Sequence, residues 1–274
     1  MIAVIGATGT IGRHVAEGLA AAGEPARAVV RDPRRARVPL PTVEADLRDS
    51  VSLRRALDGA HQLFLLTPHG PDQDGLEAAA LEAAVAAGMR RIVKISGGAP
   101  TLGPNGPTST AVAHWHSERR IEDSGVGFCF LRPSFVMQNL LKMTPKAGLL
   151  LAPMGHAKIA MVDARDVADC AIALLRDPEL PDNAWQITGP GAVTFDEVAS
   201  RMGVRYVNVP LRIAAAALRR RGASAFEAEH ATRMAAYFAS GADGTSTKSV
   251  EQLAGHPPRT FDAFISDLRS AKGS

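Results

Sequence analysis

A chain of 274 residues, 46% hydrophobic and 22% charged, has the material for one large domain, or a core domain with a smaller appendage. The net charge of +3 is modest and gathers at Arg27, Arg31, Arg34, Arg35 and Arg37, which points to a local anionic partner and away from nucleic acid. The two cysteines, Cys129 and Cys170, have neither CxxC nor Cys/His spacing, so no metal is expected. No apolar run approaches the roughly 20 residues that span a bilayer, and Ile2-Ala3-Val4-Ile5 is strand-like with no charged leader before it. No membrane association is expected, and the expected location is the cytoplasm.

Strands are expected over 2–6, 26–30, 42–45, 61–66, 91–96 and 127–131. Each is a nearly continuous apolar run, as in strands covered on both faces. Helices are expected between them, over 11–22, 50–58, 74–88 and 111–123. The first pairs Val15 with Leu19 and stops at Gly23; the second starts at Asp49-Ser50 and stops at Gly59. Such alternation predicts parallel strands joined by right-handed crossovers. Residues 97–109, Gly-Gly-Ala-Pro-Thr-Leu-Gly-Pro-Asn-Gly-Pro-Thr-Ser, exclude regular structure and form a candidate lid. Beyond residue 133 the rhythm changes. A helical stretch is expected near 135–142, a loop over 145–157, a strand over 158–161, a helix over 165–176 and a strand over 184–188. A mostly helical tail follows from 194. The expected organisation is a sheet domain of 1–133 with 158–188, and a small cap of 134–157 with 189–274.

Gly6-Ala7-Thr8-Gly9-Thr10-Ile11-Gly12 stands between the first strand and the first helix. The spacing is GxxGxxG. A tight turn there lets backbone approach a pyrophosphate, the helix offers it free N–H groups and a positive dipole end, and Gly12 lets helix and strand pack closely. A strand before and a helix after are the context that gives such a pattern meaning. The fold expected is therefore α/β, a Rossmann-type doubly wound parallel sheet that binds a nicotinamide dinucleotide. Its cofactor contacts are expected from Gly6, Thr8, Gly9, Thr10, Ile11 and Gly12. At the end of the second strand, where a carboxylate would accept from the ribose of NAD, stands Arg31. Arg35 follows one helical turn later. A guanidinium there pairs with a 2′-phosphate, so NADPH (NADP) is the expected cofactor. Asp32 leaves an alternative open, since it reaches the ribose if the strand ends a residue later. Asp46-Leu47 is the expected edge for the adenine.

The order of several motifs resembles the NmrA-like branch of the atypical short-chain dehydrogenase/reductases. They are the glycine turn, Val30-Arg31-Asp32-Pro33, Leu131-Arg132-Pro133-Ser134-Phe135-Val136-Met137-Gln138-Asn139, Val162-Asp163-Ala164-Arg165-Asp166-Val167, Ile187-Thr188-Gly189-Pro190, and Leu253 through Phe261. The resemblance spans essentially the whole chain. It implies either an NADPH-dependent quinone, azo or ketone reductase or a catalytically silent dinucleotide sensor that binds protein partners. By this resemblance Thr67 and Pro68 line the inner ribose. Ser96, Gly97, Pro133 and Phe135 flank the nicotinamide, and Gly98, His114, Phe135, Met137 and Asn139 face a small-molecule substrate beneath a substrate-binding cap.

Short-chain reductases protonate a carbonyl with the Tyr of a Tyr-x-x-x-Lys pair. Alignment on Glu118 and Ser124-Gly125 puts Thr110 at the Tyr position and His114 at the Lys position. Tyr206 and Tyr237 are followed four residues on by Pro210 and Gly241, so neither restores the pair. Ser96 and His114 are the candidate catalytic residues. The missing pair favours a sensor; the loop 97–109 and the cap, which would enclose a substrate, favour an enzyme. A planar aromatic, polyketide-like ketone or quinone that carries its own phenolic hydrogen bond is the substrate type such a site expects.

Overall fold

The computed structural model describes residues 1–143, 147–177 and 179–273. Nine strands are present among them: β1 (Ile2–Ile5), β2 (Ala26–Val30), β3 (Thr42–Glu44), β4 (Gln62–Leu65), β5 (Arg91–Ile95), β6 (Gly127–Pro133), β7 (Leu149–Ala152), β8 (Asn183–Ile187) and β9 (Arg205–Asn208). Seven of them form one parallel sheet in the order β3-β2-β1-β4-β5-β6-β8. The order reverses between β1 and β4, and a ligand cleft is expected outside the carboxyl ends of the strands at such a switch point.

Period-two alternation divides the core. Ile2 and Val4 join Val15 and Leu19 of α1 (Thr10–Ala21) on one face. Ala3 and Ile5 join Leu53 and Leu57 of α2 (Ser50–Leu57), Leu81 of α3 (Gln73–Ala86) and Ile121 of α4 (Ser109–Asp123) on the other. Both faces are covered, which is why the strands read as unbroken apolar runs. Helix ends follow local chemistry. The Asp49 carboxylate accepts from Val51 N–H at 3.0 Å, and the Thr108 hydroxyl accepts from Ala111 N–H at 3.1 Å. These are side-chain N-caps.

Three expectations are corrected. Residues 158–161 are not a strand of the sheet. Only Ile159 bridges, antiparallel to Val193, and Ile159 and Met161 are buried in the core of the cap. The stretch 145–157 contains β7, and the tail contains β9; the two pair in parallel as a separate small sheet. Expected residues 145 and 146 lie outside the described chain. The helical stretch expected near 135–142 is the 3₁₀ segment Met137–Lys142. The stretch 97–109, expected to exclude regular structure, holds a 3₁₀ turn at Ala99–Thr101; it buries Thr101 and Thr108, and Ala99 N–H donates to Gln186 Oε1 at 2.7 Å.

After α5 (Ala164–Arg176) and β8, the cap is built from α6 (Phe195–Arg201), α7 (Leu211–Arg220), α8 (Ala225–Ala239) and α10 (Phe261–Gly273) with the β7–β9 pair. Its core joins Phe135, Leu150, Phe195, Tyr206, Phe238 and Phe264. The short helix α9 (Ser249–Ala254) packs instead on the sheet domain, where Val250, Leu253 and Ala254 meet the α1/α5 face. Among the described residues, no helix is long and apolar enough to cross a membrane.

Candidate active site

A cleft of about 1290 Å³ runs along the carboxyl ends of β1, β2, β4, β5 and β6 and is roofed by α8. Gly6, Thr8, Gly9, Thr10 and Ile11 line its floor. Gly6 has φ +89°, and a Cβ on it would stand 2.3 Å from the Leu66 carbonyl oxygen, so only glycine fits. A Cβ on Gly12 would stand 2.1 Å from the Gly6 carbonyl oxygen. Gly12 therefore serves helix–strand packing and does not line the cleft. Gly9 differs: its backbone is ordinary extended chain, φ −80° and ψ 174°, and its Cβ would meet only the Gly6 oxygen, at 3.3 Å. It caps α1 without any side-chain bond, and the first turn of α1 holds no acidic residue. The N–H groups of that turn therefore stay available to an anion.

Arg31 and Arg35 line the next section, with Asp46 and Leu47 opposite. Neither arginine has an ion-pair partner among the described residues. Asp32 Oδ1 accepts from the Arg34 backbone N–H at 3.0 Å. Asp32 also lines the cleft, and this one bond leaves its other carboxylate oxygen able to accept from a ribose.

Thr67, Pro68, Ser96, Gly97, Gly98, Pro133, Phe135, His114 and Asn139 all line the cleft, as expected. Met137 does not. Its side chain, 1% exposed, packs in the core of the cap. The 3₁₀ winding of 137–142 turns Met137 inward while Asn139 faces out.

Ser96 Oγ and Thr110 Oγ1 are buried without a hydrogen-bond partner, and both residues line the cleft. A buried hydroxyl without a partner is costly unless a ligand supplies one. With the glycine floor and the free helix N-terminus, they fit a dinucleotide bound along the floor and a polar substrate atom near Ser96.

His114 belongs to a buried charged network that the sequence reading missed. Lys94, next to the last residue of β5, and Glu77, in α3, are 0% and 1% exposed. Lys94 Nζ donates to Glu77 Oε1 at 3.1 Å, to the Ile95 carbonyl at 3.1 Å and to His114 Nδ1 at 2.9 Å. An ammonium has three donors, so all are used, and Nδ1 is left as the unprotonated nitrogen of His114. Thr67 Oγ1 donates to Glu77 at 2.8 Å, and the Gln73 amide lies 3.2 Å from both Glu77 Oε1 and His114 Nε2. Burial would raise the Glu77 carboxyl's pKa, but Lys94 and the hydrogen bonds outweigh it and hold it well below the carboxylate range. Burial, aided by the Lys94 charge, pushes His114 below its ordinary value, so its imidazole is neutral at pH 7. The available signal was Lys94 itself, a charge within the buried run Ile92-Val93-Lys94-Ile95.

Tyr237 was set aside in sequence because no Lys follows it. Helix α8 brings it to the cleft wall, where its hydroxyl is buried without a hydrogen-bond partner. Burial, with Asp243 nearby, raises its pKa. Asp243 accepts from the Ser134 hydroxyl and ties the cap to the end of β6. Other motif residues are structural. Arg132 pairs with buried Glu118 (Nε to Oε1, 3.0 Å), and Gln138 donates to Asp163 at 2.8 Å. Asp166, Asp169 and His256 stand close enough together to suggest a metal cluster. The guanidinium of Arg259 pairs with both carboxylates instead, and its backbone N–H donates to Asp166 at 2.7 Å.

A sequence profile of the NmrA-like family matches residues 1–255. An NAD(P)H azoreductase of Xenophilus azovorans is 34% identical, over 100% of both chains. A (4-alkanoyl-5-oxo-2,5-dihydrofuran-3-yl)methyl phosphate reductase of Streptomyces griseus is also 34% identical, over 95% of each. The crystal structure of an NADPH-dependent quinone oxidoreductase from Escherichia coli, complexed with NADPH, superposes with a TM-score of 0.89. It is 26% identical, covering 98% of this chain and 100% of that one.

Proposed function

The chain belongs to the NmrA-like family, and from that premise we propose that it is an NADPH-dependent reductase of a ketone or quinone on a small, planar aromatic substrate. One observation carries this reading. A single cleft joins a pyrophosphate floor and a free Arg31–Arg35 pair to an apolar roof of Met154, Met234 and Phe238, with the unpartnered Ser96 hydroxyl also on its wall. When bound, the dinucleotide supplies a hydride. The protein's own residues do the rest. The first turn of α1 and Arg31 hold the phosphates, Leu47 flanks the adenine, and Phe135 and Phe238 orient a flat ring and exclude water.

The affinity for NADPH is expected to exceed that for NADH because Arg31 stands where a ribose carboxylate would. Losing one charged contact to the 2′-phosphate costs about 1.5–3 kcal/mol, or roughly ten- to a hundredfold. Titrating both cofactors against wild type and Arg31→Ala checks this. The variant should lose that factor for NADPH and little for NADH; equal wild-type affinities would overturn the assignment.

Hydride addition builds an alkoxide that must be stabilised or protonated. Thr110 stands where a tyrosine would, and neutral His114, with Nδ1 engaged by Lys94, is a poor acid. The substrate's own phenolic hydroxyl then polarises its carbonyl, and Ser96 positions the oxygen. General acid catalysis contributes about 10²–10⁴-fold. Ser96→Ala and His114→Ala are each expected to lose less than about tenfold in kcat, well below that range. The methyl ether of a hydroxyquinone substrate should lose far more. A thousandfold loss in either variant, or full turnover of the ether, would overturn substrate assistance.

A further inference from the structure

The roofed end of the cleft carries a group of basic side chains that hydride transfer does not require. His69 follows β4 and Pro68, Lys142 ends the 3₁₀ segment, and His230 projects from α8; all three line the cleft. The ring centroids of His69 and His230 are 5.2 Å apart, and those of His69 and His114 are 5.9 Å apart. Phe226 stacks on His230 at 6.1 Å. His230 Nδ1 is buried without a hydrogen-bond partner.

No carboxylate among the described residues pairs with Lys142, His69 or His230. Burial first, and then His114, His230 and Lys142, which face it, hold the His69 pKa down to about 3, and only Glu77 favours its charged form. Glu77 is already engaged by Lys94 and Thr67. Another acid on the cleft wall, Asp72, is paired with Arg48. Burial also opposes the charged form of His230. Three elements therefore converge one cation, Lys142, and two imidazoles that burial keeps neutral on one place, with no counter-ion there among the described residues. The adjoining wall is apolar: Phe135, Met143, Met154, Leu218, Met234 and Phe238.

We propose that His69, Lys142 and His230 form an anion subsite that recognises a fixed acidic substituent on an apolar substrate body. The inference deepens the reductase reading by giving the substrate a charge, and it rests on that reading only for the bound molecule being a substrate. The acidic substituent sits against the three basic groups and the apolar body against the methionine and phenylalanine wall. An anion there supplies the missing counter-charge to Lys142 and favours the protonated form of His230.

The test uses two non-reducible probes of the same shape, 2-naphthalenesulfonate and its neutral sulfonamide, titrated into NADPH-saturated protein. The sulfonate is expected to bind at least about tenfold more tightly, a difference in the range of one charged hydrogen bond. Because the sulfonate stays ionised, its advantage should grow as pH falls from 8 to 6. Lys142→Gln and His230→Gln should each remove most of that advantage and leave NADPH affinity unchanged. Equal affinity for the two probes in wild type would overturn the subsite. Weakened NADPH binding in both variants would also overturn it, by assigning the basic groups to the cofactor. If no electrophile is reduced but the sulfonate preference and its loss in the variants persist, the reductase reading falls and the anion subsite stands.

Discussion

Gly9→Val is expected to abolish NADPH binding in a protein that remains folded. The glycines of the turn do different work. A side chain at Gly6 or Gly12 collides with backbone at 2.3 or 2.1 Å, so those substitutions damage the turn itself. Gly9 has an extended backbone open to any residue, and its Cβ needs only a small adjustment at the Gly6 oxygen. The added isopropyl group occupies the space above the first turn of α1, where a pyrophosphate would meet the free N–H groups. Losing two charge-assisted hydrogen bonds, at about 1.5–3 kcal/mol each, weakens binding by at least about a hundredfold. Circular dichroism should match wild type while the NADPH titration is flat. A folded variant with unchanged affinity would make the turn structural only. Gly12→Ala is the contrasting control, since it should lower Tm.

The second large effect is on stability. Glu77→Leu leaves the Lys94 ammonium buried without its carboxylate. Removing one partner of a buried pair costs about 3–5 kcal/mol, whereas replacing both with apolar residues costs far less. Tm should therefore fall by roughly 6–20 °C in the single variant, and Lys94→Met added to it should recover part of the loss. Thermal unfolding of the singles and the double measures the coupling. Strictly additive losses, or a cost for Glu77→Leu under about 1 kcal/mol, would contradict the pairing. The same network sets a pH dependence. The folded Glu77 pKa is depressed, so its contribution is complete above the unfolded value, about 4.3. It is lost as pH falls below that value toward the folded one. The Glu77→Leu variant should lose this component of acid sensitivity.

The sheet was legible because its signals are local. Nearly continuous apolar runs such as Ile2–Ile5 and Ala26–Val30, and a glycine turn between strand and helix, need no knowledge of distant residues. The cleft floor followed from the same turn, Ser96 and Gly97 from their place at the end of the fifth strand, and Asn139 from a family motif. What escaped depends on long-range pairing. Leu149–Ala152 becomes a strand only because Arg205–Asn208 lies beside it. Ile159 and Met161 look like a strand but are buried by the cap. Met137 sits in a motif that borders the cleft, and the 3₁₀ winding turns it inward. Tyr237 and His230 reach the cleft from α8, more than a hundred residues beyond the strand ends they face, so spacing rules alone discarded one and overlooked the other. Lys94 was hidden by its apolar neighbours, and only the fold shows that Glu77 and His114 meet it.

The most direct test of the account is NADPH oxidation, followed by absorbance with purified protein across a panel of quinones, azo dyes and hydroxylated aromatic ketones. NADPH should be consumed with at least one planar quinone or ketone, NADH should serve much less well, and Gly9→Val should be inactive. Tight NADPH binding with no oxidation by any member of the panel would contradict the reductase reading and favour a dinucleotide sensor, the role that Thr110 in place of a catalytic tyrosine would suit.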